Sequence, residues 1–454
     1  MQASRETFGN RFAVVMAMAG SAIGLGNIWR FPYIVGEGGG AAFIIVYLFS
    51  SFFLSLPILL SEAVIGRRTG ANTYGAMEKL APGTGWKWMG LLTVISPLII
   101  LSYYSVVGGW SVDFFAKSLT ISFIGESGEQ VSSLFGRFIS SVWGPLACHT
   151  VFLGLTALIV VGGVKGGIEK FSKITMPVLF FLILLMVAYS LSLPGSKAGV
   201  DYLLRPDFSK LDAHAVASAM GQSFFSLSLG VGTMLTYSSY VNKQENLIYT
   251  GVGTAIFDLL FALIAGFAVM PAVFAVGLEP AGGPGLVFST LPYIFAQIGI
   301  SAPWLSGIVS ILFFLSILVA ALTSSISMLE VGVAFLMEEK GLSRKKATSL
   351  LFLAAWLLGC LCSLSFGPLS EVKLLGNTIF EFCDKLTSNF LMTFGGLLFT
   401  VFVGWKMKKS EVYDELTNGG TLRPNVRCFG VLYFIIRYLA PAVIGIIFVT
   451  NLLG

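Results

Sequence analysis

Several apolar runs in this 454-residue chain reach the roughly 20 residues that a helix needs to cross a hydrocarbon core. Those at 178–193, continuing back through Pro177, and at 305–322 contain no charged residue. In lipid a backbone must satisfy its own hydrogen bonds, so such runs leave little besides a bundle of spanning helices. Composition agrees: 56% of the residues are hydrophobic and 11% charged, where a soluble domain carries about 25% charged residues. The alternating polarity of barrel strands is absent. The fold class is an all-α integral membrane protein.

The net charge of +5 is spread unevenly. Basic clusters stand at Arg67-Arg68, Lys165/Lys170/Lys173, Arg344-Lys345-Lys346 and Lys406/Lys408/Lys409, on alternate sides of successive spans, with Arg5 and Arg11 on the same side. This is the positive-inside bias, and it predicts a cytoplasmic N-terminus and no nucleic-acid partner. Hydrophobic sequence continues beyond Ala17-Met18-Ala19, so the first span reads as an uncleaved signal-anchor. The five cysteines, Cys148, Cys360, Cys362, Cys383 and Cys428, form neither a zinc motif nor a disulfide framework. His149 and His214 sit near predicted span ends, where solvated or capping roles outweigh metal ligation.

The pattern predicts eleven spans, at 11–36, 41–66, 88–120, 142–162, 167–192, 215–240, 247–276, 304–338, 347–365, 376–405 and 428–452. An odd number places the C-terminus outside. Polar connections at 121–141 and 194–213 lie outside, and Glu279-Pro280-Ala281-Gly282-Gly283-Pro284-Gly285 opens a further outer loop. That loop turns apolar and is expected to fold back over the protein as a lid.

Two spans are interrupted in corresponding places. Span one contains Gly20-Ser21-Ala22-Ile23-Gly24-Leu25-Gly26-Asn27, and span six contains Ser226-Leu227-Ser228-Leu229-Gly230-Val231-Gly232. Each mid-span glycine costs about 1 kcal/mol of helix stability relative to alanine. Small residues also serve close helix packing in membranes. Paired breaks five spans apart imply two inverted repeats, with a solute site where the breaks meet. An unwound midpoint offers N–H groups to a carboxylate and carbonyls to a small hard cation. Thr323-Ser324-Ser325 in span eight adds hydroxyl oxygens, though such groups also bond back to their own helix. Asp258, apolar on all sides within span seven, either protonates or demands a cation. Arg30 and Asp384 near the outer ends of spans one and ten, and Arg5 and Glu338 at the inner face, read as gate pairs or as solvated termini.

The string from Gly20 to Pro32, GSAIGLGNIWRFP, resembles the first span of the neurotransmitter:sodium symporter family, one of the families from which the link between paired helix breaks, inverted repeats and a solute site is itself drawn. The resemblance continues through Tyr103-Tyr104, Gln222 to Gly230, and Leu322 to Ser325, nearly end to end. It implies a bacterial amino-acid transporter of the inner membrane, multi-pass in the lipid bilayer. The expected units are an N-terminal gate segment at 1–10, five-helix repeats at 11–192 and 215–405, and an eleventh helix at 428–452.

By resemblance, the substrate carboxylate meets the Leu25 and Gly26 amides, the Tyr104 hydroxyl and a first sodium ion, beside Gly24. Its amino group faces carbonyls around Ala22, Phe225 and Ser226. The first sodium is held by Ala22, Asn27, Ser226 and Asp258. The second is held by Gly20, Ile23 and Ala320 carbonyls with the Thr323 and Ser324 hydroxyls. Tyr104 and Phe225 resemble a lid over the substrate, Arg30–Asp384 an outer gate, and Arg5–Glu338 an inner gate with Tyr240 and Glu330 nearby. Gly167 and Pro177 resemble the helix-breaking pair of span five. The pocket wall, Ile100, Tyr104, Phe225, Val231, Ser324 and Met328 with Ser228 beside it, carries no charge and points to hydrophobic or aromatic L-amino acids.

Two departures refine this. Chloride-requiring relatives carry a neutral residue at position 258 and Ser at 262, whereas this chain has Asp258 and Ala262. A fixed carboxylate would replace chloride, so transport is expected to be chloride-independent, and Asp258 is a candidate proton carrier. Monoamine carriers have an acid at position 24; Gly24 requires a substrate bringing its own carboxylate. A membrane amino-acid sensor is the rival reading, and lacks an output domain. An enzyme would need a nucleophile and base or metal ligands gathered mid-span.

Overall fold

A computed structural model of the chain describes residues 6–120, 128–277, 286–301 and 303–453. Among them, nine helices are long and apolar enough to cross a membrane: Ala41–Thr69, Trp86–Leu119, Trp143–Val161, Val164–Ser192, Leu247–Ala275, Pro303–Lys340, Arg344–Leu364, Ile379–Lys406 and Arg423–Thr450. The predicted first span is a pair, Arg11–Ala22 and Gly26–Glu37, bent by 50° at the break. The predicted sixth span is two short helices, Ala213–Ser226 and Thr233–Ser238, each too short to cross alone. These pieces are called spans one to eleven in chain order below.

Both breaks fall where the glycines stand. In span one the helix ends at Ala22, Ile23 takes an extended conformation, and a wide turn over Gly26–Arg30 leads into the outer half. In span six, Ser228, Gly230 and Gly232 have φ of 51°, 79° and 72°, and such positive values favour glycine at the last two. The close approach there is also steric. A Cβ at Gly230 would run into the Met392 carbonyl, and one at Gly232 would stand 2.6 Å from the Thr73 side chain.

Spans three and eight form the most extensive helix pair and run beside the two breaks. Span four closes on span three where Gly108 and Gly109 meet Phe152 and the His149 backbone, the small-residue packing expected in lipid. His149 is therefore not solvated: it is buried, with Nε2 3.4 Å from the Trp356 carbonyl. Only His214 is exposed, as expected from a span end.

Outside the spans, Leu286–Thr290 and Leu291–Ser301 are helical. Phe288 packs among Trp110, Phe114, Phe135 and Phe314, so the apolar second half of that loop does fold back onto the bundle. Its Gly/Pro-rich start, Glu279 to Gly285, lies outside the described residues. A hairpin pairs Lys373–Leu374 with Asn377–Thr378 through Leu375 and Gly376, both at positive φ. It delivers Thr378 as the cap of span ten, closing a capping box with Glu381.

Candidate functional site

The broken ends of spans one and six meet spans three, eight and ten around a small cavity of about 20 Å³, lined by Ala22, Gly24, Gly26, Ile100, Tyr104, Phe225, Ser228, Val231, Ser324, Met328 and Met392. One water needs roughly 10–15 Å³ by the same measure. Every wall residue expected from the sequence is here; Met392 of span ten is an addition that no sequence signal marks.

The geometry around span one's break is tight. The Leu25 amide donates to the Tyr104 hydroxyl at 3.1 Å, and the Gly24 amide to Asn27 Oδ1 at 3.1 Å. A Cβ at Gly24 would collide with Ser324 Oγ and stand 2.7 Å from the Tyr104 hydroxyl. A Cβ at Gly26 would stand 3.1 Å from the Phe225 ring. Backbone N–H groups are thus brought to the cavity edge because no side chain intervenes.

Beside this cavity, Asn27, Ser226 and Asp258 converge. Asn27 Nδ2 donates to Asp258 Oδ1 at 2.7 Å, to its carbonyl at 3.1 Å and to Ser226 Oγ at 3.0 Å. Ser226 Oγ reaches both Asp258 carboxylate oxygens, at 2.9 and 2.8 Å. Tyr47 of span two joins them, its hydroxyl 3.2 Å from Ser226 Oγ and 3.5 Å from Asp258 Oδ2. All four side chains are buried. Gln222 Nε2 donates to the Gly26 carbonyl at 2.8 Å, while its Oε1 is buried without a hydrogen-bond partner among the described residues. Ala262 is buried as well.

A second oxygen cluster lies where span eight crosses the end of the inner half of span one. Thr323 Oγ1 is 3.1 Å from the Ile23 carbonyl and 2.8 Å from the Ala320 carbonyl. Ser324 Oγ is 3.1 Å from the Ser21 carbonyl and 3.3 Å from that of Ile23. Ser228 Oγ also donates to the Ser21 carbonyl, at 3.2 Å. Ser325, third of the hydroxyl run, turns away to Thr156 of span four at 2.8 Å. Gly20 packs against span five: its Cβ position is 3.3 Å from Met176 Sδ.

Beyond Tyr104 and Phe225 lies a larger cavity of about 260 Å³, lined among others by Trp29, Arg30, Tyr103, Phe380 and Asp384. Arg30 and Asp384 both line it, and among the described residues they form no ion pair. The Arg30 guanidinium lies over the Phe225 ring at 4.5 Å instead.

Where the N-terminal segment packs, Tyr240 donates to Glu330 Oε1 at 2.8 Å, as their proximity in the resemblance implies. Arg344, in sequence one member of a basic cluster, grips Glu330 with its guanidinium at 2.6 and 3.1 Å. Glu338 accepts from the Asn72 amide at 2.8 Å and Nδ2 at 3.0 Å. Its expected partner Arg5 lies outside the described residues. Phe8 is buried against Tyr237 and Tyr240, and its amide donates to the Tyr240 carbonyl at 3.1 Å. Glu6 caps the Val164 amide at 2.6 Å, and Glu169 the Gly9 amide at 2.9 Å. Span five is wound at both Gly167 and Pro177, and a Cβ at Gly167 would strike the Ile159 carbonyl.

Glu62 of span two is a further functional candidate. Fully buried, it accepts from the Gly230 amide at 2.7 Å and the Leu235 amide at 3.2 Å, and so holds the break in span six open. A carboxylate inside a predicted span is the signal that could have found it.

Comparison with known proteins agrees with this geometry. A model of the Sodium:neurotransmitter symporter family matches residues 5–131 and 130–454. The sodium-dependent transporter YhdH of Bacillus subtilis is 39% identical, covering 98% of this chain and 97% of its own. A sodium-dependent transporter of Haemophilus influenzae is 35% identical, covering 99% and 98%. The crystal structure of MhsT in complex with L-phenylalanine superposes with a TM-score of 0.91 at 42% identity, covering 99% of this chain and 100% of that one. The chain is a sodium-dependent transporter belonging to the sodium:neurotransmitter symporter family.

Proposed function

We propose that the protein imports hydrophobic or aromatic L-amino acids by sodium symport and alternating access. The observation that carries this is the cavity between the two breaks. At one edge the Leu25 amide and Tyr104 hydroxyl suit a carboxylate, while Ile100, Val231, Met328 and Met392 make an uncharged wall. Gly24 leaves no room for an acid of the protein's own. That MhsT was crystallised with L-phenylalanine supports the same substrate class. At about 20 Å³ the cavity has to widen to seat such a side chain; the flexible methionines can give way.

Two sodium ions fit the two oxygen clusters. Ala22, Asn27, Ser226 and Asp258 would hold the first, and Gly20, Ile23, Ala320, Thr323 and Ser324 the second, hard oxygen donors suited to a small cation. Asp258 provides beside the first ion the negative charge that chloride brings in other carriers, so transport is chloride-independent. Arg30 and Asp384 would close over Phe225 from outside; Tyr240, Glu330 and Arg344, with Arg5 and Glu338, would seal the inside. Counting Ala213–Ser238 as one crossing gives eleven spans, inverted repeats at 11–192 and 215–405, a cytoplasmic N-terminus and an outer C-terminus in a bacterial inner membrane.

Sodium entering a cell at about 100 mV, negative inside, gains roughly 2.3 kcal/mol per charge. Two ions supply about 4.6 kcal/mol, enough for over a thousandfold accumulation of a neutral solute. Uptake of labelled phenylalanine, leucine and glutamate into proteoliposomes, with and without a sodium gradient, tests the reading. Sodium-driven uptake of the first two and not glutamate is expected; equal uptake without sodium would refute symport. Replacing chloride by gluconate should leave the rate unchanged, and a large loss would reject Asp258 as its substitute.

A further inference from the structure

Span eleven carries one charge within its apolar stretch, Arg437, in Phe434-Ile435-Ile436-Arg437-Tyr438-Leu439. Charges in such surroundings are costly and need a partner. Gly404, near the end of span ten, lets the two backbones approach: a Cβ there would stand 2.8 Å from Arg437 Cα. The approach lays the Arg437 guanidinium 4.8 Å from the centroid of the Trp405 indole and 5.4 Å from that of the Tyr438 ring. The Trp405 N–H donates to the Arg437 carbonyl at 2.9 Å and fixes the pair. Arg437 is half-buried, and its Nε is buried with no hydrogen-bond partner among the described residues. Trp405 and Tyr438 are 59% and 46% exposed, facing away from the bundle. Such aromatic side chains mark the headgroup level of a bilayer.

Further cations stand at the same end of spans ten and eleven. Lys406, Lys408 and Lys409 follow on span ten's end, and Arg423 and Arg427 open span eleven, all exposed. Among the described residues, neither these five nor Arg437 has a carboxylate at ion-pair distance. Two of the acids on the intervening helix Lys409–Thr417 are committed elsewhere. Glu411 pairs with Arg68 at 3.0 Å, and Glu415 with Arg67 and Lys243 at 2.8 Å each. Asp414 remains, exposed on the same helix. Among the described residues this end therefore carries an excess of positive charge.

We propose that Arg437, Lys406 and Trp405 form a site for the phosphate group of an anionic glycerophospholipid, at the basic end of spans ten and eleven. The guanidinium fork suits two phosphate oxygens, and the Lys406 ammonium adds a point charge. Acyl chains lie along Leu439, Ile446 and Val449, which are exposed on the far side of Arg437. Charge complementarity and the aromatic belt at the same level select a lipid over a soluble anion.

Native mass spectrometry of the full-length protein in detergent, with equal amounts of dioleoyl-phosphatidylglycerol or dioleoyl-phosphatidylcholine, reads the site. Wild type should retain more of the anionic lipid, and Arg437→Gln and Lys406→Gln should each lower that retention about fivefold, the effect of one cation near a charged surface. Phosphatidylcholine retention should not change. Equal retention of both lipids, or unchanged phosphatidylglycerol retention in the variants, overturns the proposal. If Arg437→Gln does not give monodisperse protein, Lys406→Gln alone decides. Displacement of phosphatidylglycerol by millimolar inorganic phosphate would make this a free-phosphate site and reject the lipid.

Discussion

The two ends of the central cavity are closed by opposite means. On the Phe225 side the barrier is one ring, with Arg30 stacked on it and Asp384 across a cavity of about 260 Å³. On the Tyr240 side the barrier is layered. Phe8 is buried between two tyrosines, Glu330 is held by Tyr240 and Arg344, and the segment after Glu6 is clamped to the start of span five. A ring can swing at little cost, whereas a buried ion pair that loses one partner costs about 3–5 kcal/mol. Parting the Tyr240 side therefore demands energy that parting the Phe225 side does not, of the order that sodium entry would supply under the proposed symport.

The contrast can be broken at its strongest point first. Arg344→Ala leaves Glu330 charged and buried, and should cost about 3–5 kcal/mol, read as a lower Tm and loss of sodium-driven uptake. An unchanged Tm would mean the inner layer is not held by this pair. Phe8→Ala should cost about 3 kcal/mol, at the low end for emptying an aromatic site. Hydrogen exchange should then quicken in 11–22 and not in 26–37, and uniform quickening would sink the idea of a local inner plug.

Gly24→Ala sharpens the comparison at the cavity itself. Its methyl meets Ser324 and Tyr104, an overpacking of about 1–3 kcal/mol. The half-saturation concentration for the amino acid should rise about tenfold or more, with the protein still folded. Asp384→Asn should change stability by less than about 1 kcal/mol, since among the described residues no cation stands at ion-pair distance from it. A fall in Tm as large as that of Arg344→Ala would show an outer barrier as strongly held as the inner one.

Legibility in the sequence followed the same divide. The breaks in spans one and six were readable because glycine in a spanning helix is costly and conspicuous, and Asp258 because a carboxylate among apolar residues is. Glu62 carried the same signal within span two, but its task depends on the span-six amides folding against it. Tyr47 and Met392 carried no signal, since tyrosine and methionine are ordinary in an apolar span. Arg344 read as one member of a basic cluster, and only its approach to Glu330 singles it out.

A helical membrane protein, the positions of both breaks, and a glycine in place of an acid at position 24 were all fixed by the residues alone. Those properties are written in residue type and spacing along one chain. Which oxygens gather beside the breaks, which charges pair, and how firmly each end is shut were decided by the tertiary structure. Such contacts join spans up to several hundred residues apart, as Thr323 joins Ile23 across 300 positions, and no local pattern encodes a meeting at that range.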